Sequence, residues 1–513
     1  MASELRAGSV FNFIRIGMRV GVGLLMIPYL LHCLGPENYA LLALVGGIMG
    51  YFTLLDFGLS PTVTKYVAEK VALRDKKAEA ALIGQCVYLF SGLGLLTAAA
   101  AACFYPFLGQ MFGGLSGEQL GDLEWMFLIM AAHTVVFFPS RAFIGVLAAH
   151  QKFTVPGYVG VASTTLTVLC QIVLLASGFG PVALIASDAI NSALYELWVW
   201  WYRWRISGSS LRFGRPDWRL FGKMTRYAAG IFMQQTGELF LWGSAPVVLG
   251  MTAGMASVAV YKVGVQMPSF YMSLPWAITG VLFAKVVGMV TRGAGGGALT
   301  DLMVKTGRVQ ALIVFLCLFG FLGAGRDFLQ LWVGASLPGS VGEVWWISML
   351  LMAVLAVPLI QSVGVSIVQA LELNFGRAFI IFGTSALALM LGAALSFHWG
   401  ALGLASGVAA AIAFGEILGV NWFYRRFAGI EVGRFFRQTF RGSAVPCAGT
   451  AVFIAVLFYV AREWPLSWPL FAGKAVSIAA VYLALAWKFW VNGIERRMFV
   501  SLLPGARRSG NRS

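Results

Sequence analysis

Acidic residues are scarce in this chain: 21 Asp and Glu among 513 residues, against 37 Lys and Arg, with charged residues of either sign making up only 11%. Long polar stretches are missing as well, which leaves no room for a sizeable soluble domain. With 59% hydrophobic residues and a mean hydropathy of +0.81, a water-soluble fold is excluded, and the composition is that of an integral membrane protein whose spans are helices. Histidine is rare, and His32, His133, His150 and His398 show no metal-ligand spacing. His133 is the one histidine well inside an apolar run, where a packing or polar contact is the simpler role. The six cysteines (Cys33, Cys86, Cys103, Cys170, Cys317, Cys447) lie in or at the ends of apolar runs. They read as buried structural thiols, a Cys33–Cys103 disulfide being the less favoured alternative. The run Gly293-Ala294-Gly295-Gly296-Gly297 lacks the Gly-Lys-Ser/Thr that completes a phosphate-binding loop and reads as a flexible linker. No nucleophile–base pair, catalytic carboxylate pair or nucleotide fingerprint stands out, so the expectation is a non-enzyme with neither cofactor nor metal. The first apolar run is too long for a cleavable signal peptide and has no small-residue cleavage site.

What is present is a succession of apolar runs. Fourteen candidate spans fall near 9–34, 38–65, 81–108, 123–148, 156–177, 181–203, 226–250, 255–288, 307–325, 342–370, 377–397, 400–424, 443–461 and 469–490. With both termini cytoplasmic, inner loops and tails hold 30 of the 37 Lys and Arg, outer loops hold three (Arg326, Arg462, Lys474), and four sit within spans. Cytoplasmic loops carry the positive excess in such proteins, so this orientation is expected. The net charge of +16 is therefore a topology signal. The basic clusters at 203–226, 425–441 and 496–512 suit anionic lipid headgroups, and nucleic acid is not an expected partner.

A shift of 218–220 residues exposes an internal repeat. Pro28 falls on Pro246, Pro139 on Pro358, Gly180 on Gly400 and Glu196 on Glu416. The expected architecture is an all-α polytopic membrane protein with about fourteen transmembrane helices, in two six-helix lobes related by the repeat plus two C-terminal helices. Residues 1–205 would form the N-lobe, 206–425 the linker and C-lobe, and 426–513 the last two spans with a basic tail. Such repeats are a common build for secondary transporters, with the substrate site near the midplane between the halves.

Charges inside spans cost roughly 2.5–3.5 kcal/mol each on insertion scales and are normally paired or turned toward a polar cavity. Asn12, Arg15 and Arg19 share one helix face, and that face should line an interior that attracts anions. Arg141 is a further intramembrane guanidinium, and its planar fork suits phosphate. Under the repeat shift, Arg15 and Arg19 fall near Gln234 and Glu238, Arg141 near Gln361, and Asp56 near Leu274-Pro275. These charges are thus not repeated, which favours a role toward an asymmetric substrate. Glu196 and Glu416 are repeated and read as structural. Asp56 could pair with Arg15, and Asp56 and Glu238 are the carboxylates that could couple to protons or sodium. Lys262 would be a second anion station on the exit side, or a lysine that snorkels to the interface.

The stretch LGPENYALLALVGGIMGYFTLLDFGLSPTVTKYVAEK (34–70) resembles the start of polysaccharide exporters and lipid-linked oligosaccharide (O-antigen) flippases of the multidrug/oligosaccharidyl-lipid/polysaccharide exporter superfamily. LAAHQKF (147–153) is similar to their loop after the fourth span, and DFLQLWVG (327–334) to the segment after the ninth. The resemblance covers roughly residues 9–425. It implies a V-shaped, two-lobed transporter that moves undecaprenyl-diphosphate-linked glycans across the bacterial inner membrane. Expected partners are the anionic lipid-linked glycan and membrane lipids, with a polysaccharide polymerase or glycosyltransferases as candidates. A cation-coupled multidrug exporter of the same superfamily is the nearest rival; it would want an acidic, aromatic-lined cavity. A membrane glycan polymerase or ligase is a rival of another class and would need a large outer loop, where every outer loop here is short.

Overall fold

The computed structural model describes residues 2–57, 59–73, 75–150, 154–207, 218–493 and 495–496, with the side chains of the first helix described chiefly from residue 20 onward. Among these residues every regular element is a helix. In chain order they are α1 (Ala2–Thr53), α2 (Leu59–Ala72), α3 (Lys76–Phe104), α4 (Leu108–Met111), α5 (Gly117–Ala149), α6 (Thr154–Ala176), α7 (Pro181–Ser207), α8 (Trp218–Glu238), α9 (Ala245–Thr252), α10 (Gly254–Gly264), α11 (Gln266–Thr291), α12 (Gly296–Val333), α13 (Val341–Ile360), α14 (Val363–Ala370), α15 (Asn374–Ala411), α16 (Val420–Arg426), α17 (Val432–Thr439), α18 (Ala444–Val460) and α19 (Trp468–Phe489).

Two of these helices are each two legs joined at a kink. At about 1.5 Å per residue, the 52 residues of α1 would run roughly 78 Å, far more than a bilayer core. The chain breaks at Gly35, whose φ of +76° few residues but glycine adopt. The 38-residue α15 breaks likewise at Trp399-Gly400, with φ +52° at the glycine. Both breaks fall where the sequence places turns between spans. By length and composition nine helices of the described residues can cross a membrane, or ten if the bent pair α17–α18 is one span. That criterion does not reach fourteen, because it takes kinked legs as single helices and passes over spans split by short breaks.

Exposed side chains along the helices are apolar, among them Leu25, Met390, Phe458 and Tyr459. Several exposed tryptophans stand near helix ends, among them Trp125, Trp204, Trp346, Trp468 and Trp487. This is the distribution of a lipid-facing surface with interfacial anchors. The protein is a multi-pass membrane protein.

The helices form two compact units, Met1–Gln266 with Asn374–Gly419, and Met267–Leu373 with Val420–Ser513. In the first, α5 packs against α2, α3 and α7 around a core that includes Val63, Ile83, Phe90, Phe138, Val146 and Val199. The crossing of α3 and α5 is close because Gly94 has no side chain: a Cβ there would stand 3.2 Å from the Thr134 carbonyl oxygen. In the second unit, α12 carries α13, α17 and α19.

Two readings of the sequence are corrected here. Among the described residues the six cysteines are free thiols, and only Cys86 is buried, Cys33 and Cys103 being exposed. A thiol is apolar enough to face lipid, so an apolar run does not by itself bury it. The glycine run is a tight turn in place of a slack linker. Gly295 caps α12, and Gly296 packs so closely on the Gly429 carbonyl that no Cβ would fit.

Candidate functional site

Charged residues on the described helices of the first unit include two groups. The larger is built on α5, where His133, Phe137 and Arg141 follow at i, i+4 and i+8 and so stack along one face over about 12 Å. The rings of His133 and Phe137 lie 5.9 Å apart, and the Arg141 guanidinium carbon sits 4.2 Å from the Phe137 ring centre. A cation over an aromatic face gains about 0.5–2 kcal/mol, so Phe137 holds the guanidinium in place without neutralising it. Among the described residues Arg141 makes no ion pair. Asp56 and Glu196 lie within its electrostatic reach.

Helix α7 supplies the facing carboxylate. Its register against α5 is pinned by the Trp200 indole, which donates to the Ser140 hydroxyl at 3.0 Å and packs edge-on against Phe143. One turn earlier on α7, Glu196 is 4% exposed. Its Oε2 stands 3.4 Å from Nε2 of His133, and neither atom has a hydrogen-bond partner among the described residues. Asp188, two turns further back on α7, is exposed and acts electrostatically on His133. At the far end of the same bundle, His150 is 2.7 Å from Glu79, and Arg203 is buried over the Phe143 ring.

Asp56 sits in a single 3₁₀ turn, Leu54–Asp56, between α1 and α2. The next residue, Phe57, holds a left-handed backbone (φ +50°) that non-glycine residues seldom adopt, and its ring lies 5.4 Å from that of Phe232.

The second group lies on α8 and α15. Gln234 donates to Glu238 at 3.1 Å, and Glu238 ends α8 just before a π-helical segment, Leu239–Gly243. Glu416 lies in another π segment, Ile412–Gly419. Arg377, in the first turn of α15, and Glu238 both act on Glu416 electrostatically. Gly237 packs against Ile381 and Phe382, and Gly415 against Thr384, which holds these segments to one face of α15. Single-turn π bulges often mark functional sites because the wider turn re-aims side chains and frees backbone groups.

The residues singled out from the sequence therefore fall as follows. Arg141 and Asp56 are brought into one neighbourhood, and Gln234 and Glu238 are joined directly. Lys262 is half-buried on α10, and no contact links it to either group. Asn12, Arg15 and Arg19 are on helix α1, but their side chains lie outside the described residues. Glu196 and Glu416, read as equivalent structural carboxylates, have unlike partners, a histidine in one case and an arginine in the other. Gln361, the counterpart of Arg141, exchanges two hydrogen bonds with Asn421 at 2.8 and 3.1 Å. The His133–Glu196 pair and Arg377 were not singled out. The i, i+4, i+8 spacing of His133, Phe137 and Arg141 was the signal available for the first; nothing local marked the second.

The sequence pattern of the family described as "Polysaccharide biosynthesis protein" matches residues 5–283. A candidate O-antigen transporter of Salmonella typhi is 35% identical over 78 residues, 15% of this chain. That match spans only 18% of the relative's length. Among solved structures, the lipid II flippase MurJ in an inward closed conformation aligns with a TM-score of 0.72 and 13% identity, covering 96% of this chain and 99% of MurJ. An inward-facing multidrug resistance MATE transporter of the MOP superfamily aligns at 0.60 and 13% identity, over 84% of this chain and 99% of its own. At such identities the likeness shows the fold alone, one shared with these two transporters. Taken with the match across more than half of its length, the chain belongs to the polysaccharide biosynthesis protein family.

Proposed function

We propose that this protein is a secondary transporter that flips an undecaprenyl-diphosphate-linked oligosaccharide from the cytoplasmic to the outer leaflet of the bacterial inner membrane, by alternating access, for surface polysaccharide assembly. The observation that carries this reading is Arg141, an intramembrane guanidinium held on an aromatic face with no ion pair among the described residues. A cation kept at membrane depth without a direct partner is arranged to receive an anion. Arg15 and Arg19 would complete the diphosphate site with Asn12 and Gln234, and Lys262 would serve the exit side. Asp56 and Glu238 are the carboxylates for ion coupling. The polyprenyl chain would trail into lipid, and an inside-negative potential would assist by about 2.3 kcal/mol per charge per 100 mV. The reading includes two six-helix halves, 1–205 and 206–425, with 426–513 as an addition, and both termini in the cytoplasm. It assigns the protein no bond-making chemistry. The family and the fold both favour it.

A cation-coupled multidrug exporter is the second reading, because MATE transporters share the fold. An organic cation would be repelled by Arg141, and the first span holds two arginines and no acid. The test is surface glycan assembly in cells carrying single and paired substitutions. Arg141→Ala is expected to reduce the glycan with protein abundance kept, and Arg141→Lys to restore only part of it, since lysine keeps the charge but loses the two-pronged donor. Normal export by an Arg15→Ala, Arg19→Ala double variant would rule out their docking role. Loss of abundance in every arginine variant would point to structural salt bridges.

A further inference from the structure

Neither the family nor the sequence pattern assigns anything to the buried His133–Glu196 pair. Two buried polar atoms 3.4 Å apart, each without a hydrogen-bond partner among the described residues, form an expensive arrangement. It becomes a favourable one when the imidazole carries a proton, because the pair is then a charge-assisted contact in a low-dielectric interior. Glu196 also has a second cation within electrostatic reach, Arg141, two turns along α5 from His133 on the same face. One carboxylate thus stands between two cationic groups, of which one is always charged and the other only when protonated.

From this geometry we infer that Glu196 is an exchangeable counter-ion, serving Arg141 when the site is empty and His133 when an anionic diphosphate occupies Arg141. The inference rests on the anion-docking reading of Arg141 above. In the empty site the imidazole is neutral and the Glu196 carboxylate, alongside Asp56, offsets the Arg141 charge, which limits the cost of holding a guanidinium at membrane depth. When the diphosphate arrives, it takes over Arg141. A proton from water adds to the imidazole Nε2, and Glu196 turns to the imidazolium. The proton is taken up with the anion and released with it; no covalent bond other than N–H forms or breaks. Because binding couplings are reciprocal, protonation of His133 must then tighten the anion by the same factor that the anion tightens the proton.

The exposed Asp188 carboxylate also acts on His133 electrostatically from α7. Other ionisable groups that the packed elements bring to this bundle include Asp56 before α2, Tyr66 on α2, Cys86 on α3 and Tyr195 on α7, with Tyr51 on α1 and Lys70, Lys76, Lys77, Tyr88 and Cys103 elsewhere on these helices. Glu79, His150 and Arg203 form their own cluster at the far end of the bundle. Histidine is the side chain whose charge physiological pH can change, and among the described residues His133 is the histidine at this level of the bundle.

The sign follows from the charges. Below the imidazole's titration His133 is cationic and binds Glu196, which leaves Arg141 to the ligand; above it, Glu196 competes for Arg141. Anion affinity therefore falls as pH rises. The experiment measures binding of farnesyl diphosphate to the detergent-purified full-length protein, by tryptophan fluorescence, at pH 5.5 and pH 8.0. Comparison with His133→Asn removes the part of the change that comes from titration of the probe itself. The wild-type protein is expected to bind about fivefold or more tighter at pH 5.5 than at pH 8.0, beyond any change in His133→Asn. His133→Asn should stay at the weak, alkaline level throughout. Glu196→Gln, which keeps the shape and removes the competing charge, should bind tightly at both pH values; it also serves as the second variant if His133→Asn fails to fold. If wild type and His133→Asn share one pH profile while Arg141→Ala abolishes binding, the counter-ion exchange is overturned and the docking role of Arg141 stands. If Arg141→Ala binds the probe as wild type does, both fall.

Discussion

Removing the Glu495 carboxylate should loosen the C-terminal helices from the rest of their unit. Arg308 lies in α12, and its side chain and that of Glu495 are each about 10% exposed. The guanidinium donates to Glu495 at 2.5 and 3.2 Å, to the Gln438 carbonyl at 2.9 Å and to the Trp490 carbonyl at 2.6 Å. Glu495 in turn accepts from the Asn492 backbone N–H at 2.9 Å. Glu495→Ala leaves a buried guanidinium with two carbonyl acceptors and no counter-charge. Breaking one side of such a pair costs about 3–5 kcal/mol. Glu495→Gln keeps one acceptor and loses the charge, so about 1.5–3 kcal/mol is expected, the range for hydrogen bonds to charged groups. In an Arg308→Met, Glu495→Ala double variant the orphaned charge is gone too, and much of the loss should return. The assay is thermal unfolding of the detergent-purified protein, followed by tryptophan fluorescence and by protease sensitivity of the chain after residue 440. A Glu495→Ala protein within about 1 kcal/mol of wild type would refute the reasoning, because that is the size of an exposed ion pair. So would a double variant as unstable as the sum of its singles, since contacting partners should couple by about 0.5–3 kcal/mol.

Two further outcomes can be checked without knowledge of the substrate. Gly94→Val should destabilise the first unit by about 1–3 kcal/mol, the usual cost of overpacking, because its side chain would press on the Thr134 carbonyl beside His133; an unchanged melting temperature would show that α3 and α5 are less tightly apposed than described. A single cysteine introduced at Ser210 in a cysteine-free background should react with a membrane-impermeant maleimide only after the cells are opened, and one at Glu463, in the turn between α18 and α19, should react in intact cells. The reverse pattern would invert the membrane orientation.

The helices and their breaks were largely legible in the sequence because apolar length and glycine turns are local properties. Gly35 and Trp399-Gly400 kink long helices where the chain was expected to turn, and Pro139 and Pro358, which the 218–220-residue shift aligns, each lie inside a helix. Gln234 and Glu238 were read as the counterparts of Arg15 and Arg19 rather than as a pair, although their spacing of one helical turn already allows the hydrogen bond they make. Burial was not legible where the surroundings are lipid: hydropathy ranks Cys33 and Cys86 alike, yet one is exposed and the other buried.

Composition, apolar run lengths and the spacing of charges were enough by themselves to make this a polytopic helical membrane protein with cationic groups at membrane depth. Which carboxylate answers which cation was decided only by tertiary packing. Glu196 and Glu416 fall on each other under the 218–220-residue shift of the sequence, yet α5 brings His133 to the one, and α15 places Arg377 within electrostatic reach of the other. Arg308 and Glu495 lie 187 positions apart and meet because α19 packs along α12. A residue's charge is encoded at its own position, but its partner is set by helices distant in the chain, up to 187 positions away for Arg308 and Glu495, and in a medium that cannot solvate ions that partner decides what the charge can do.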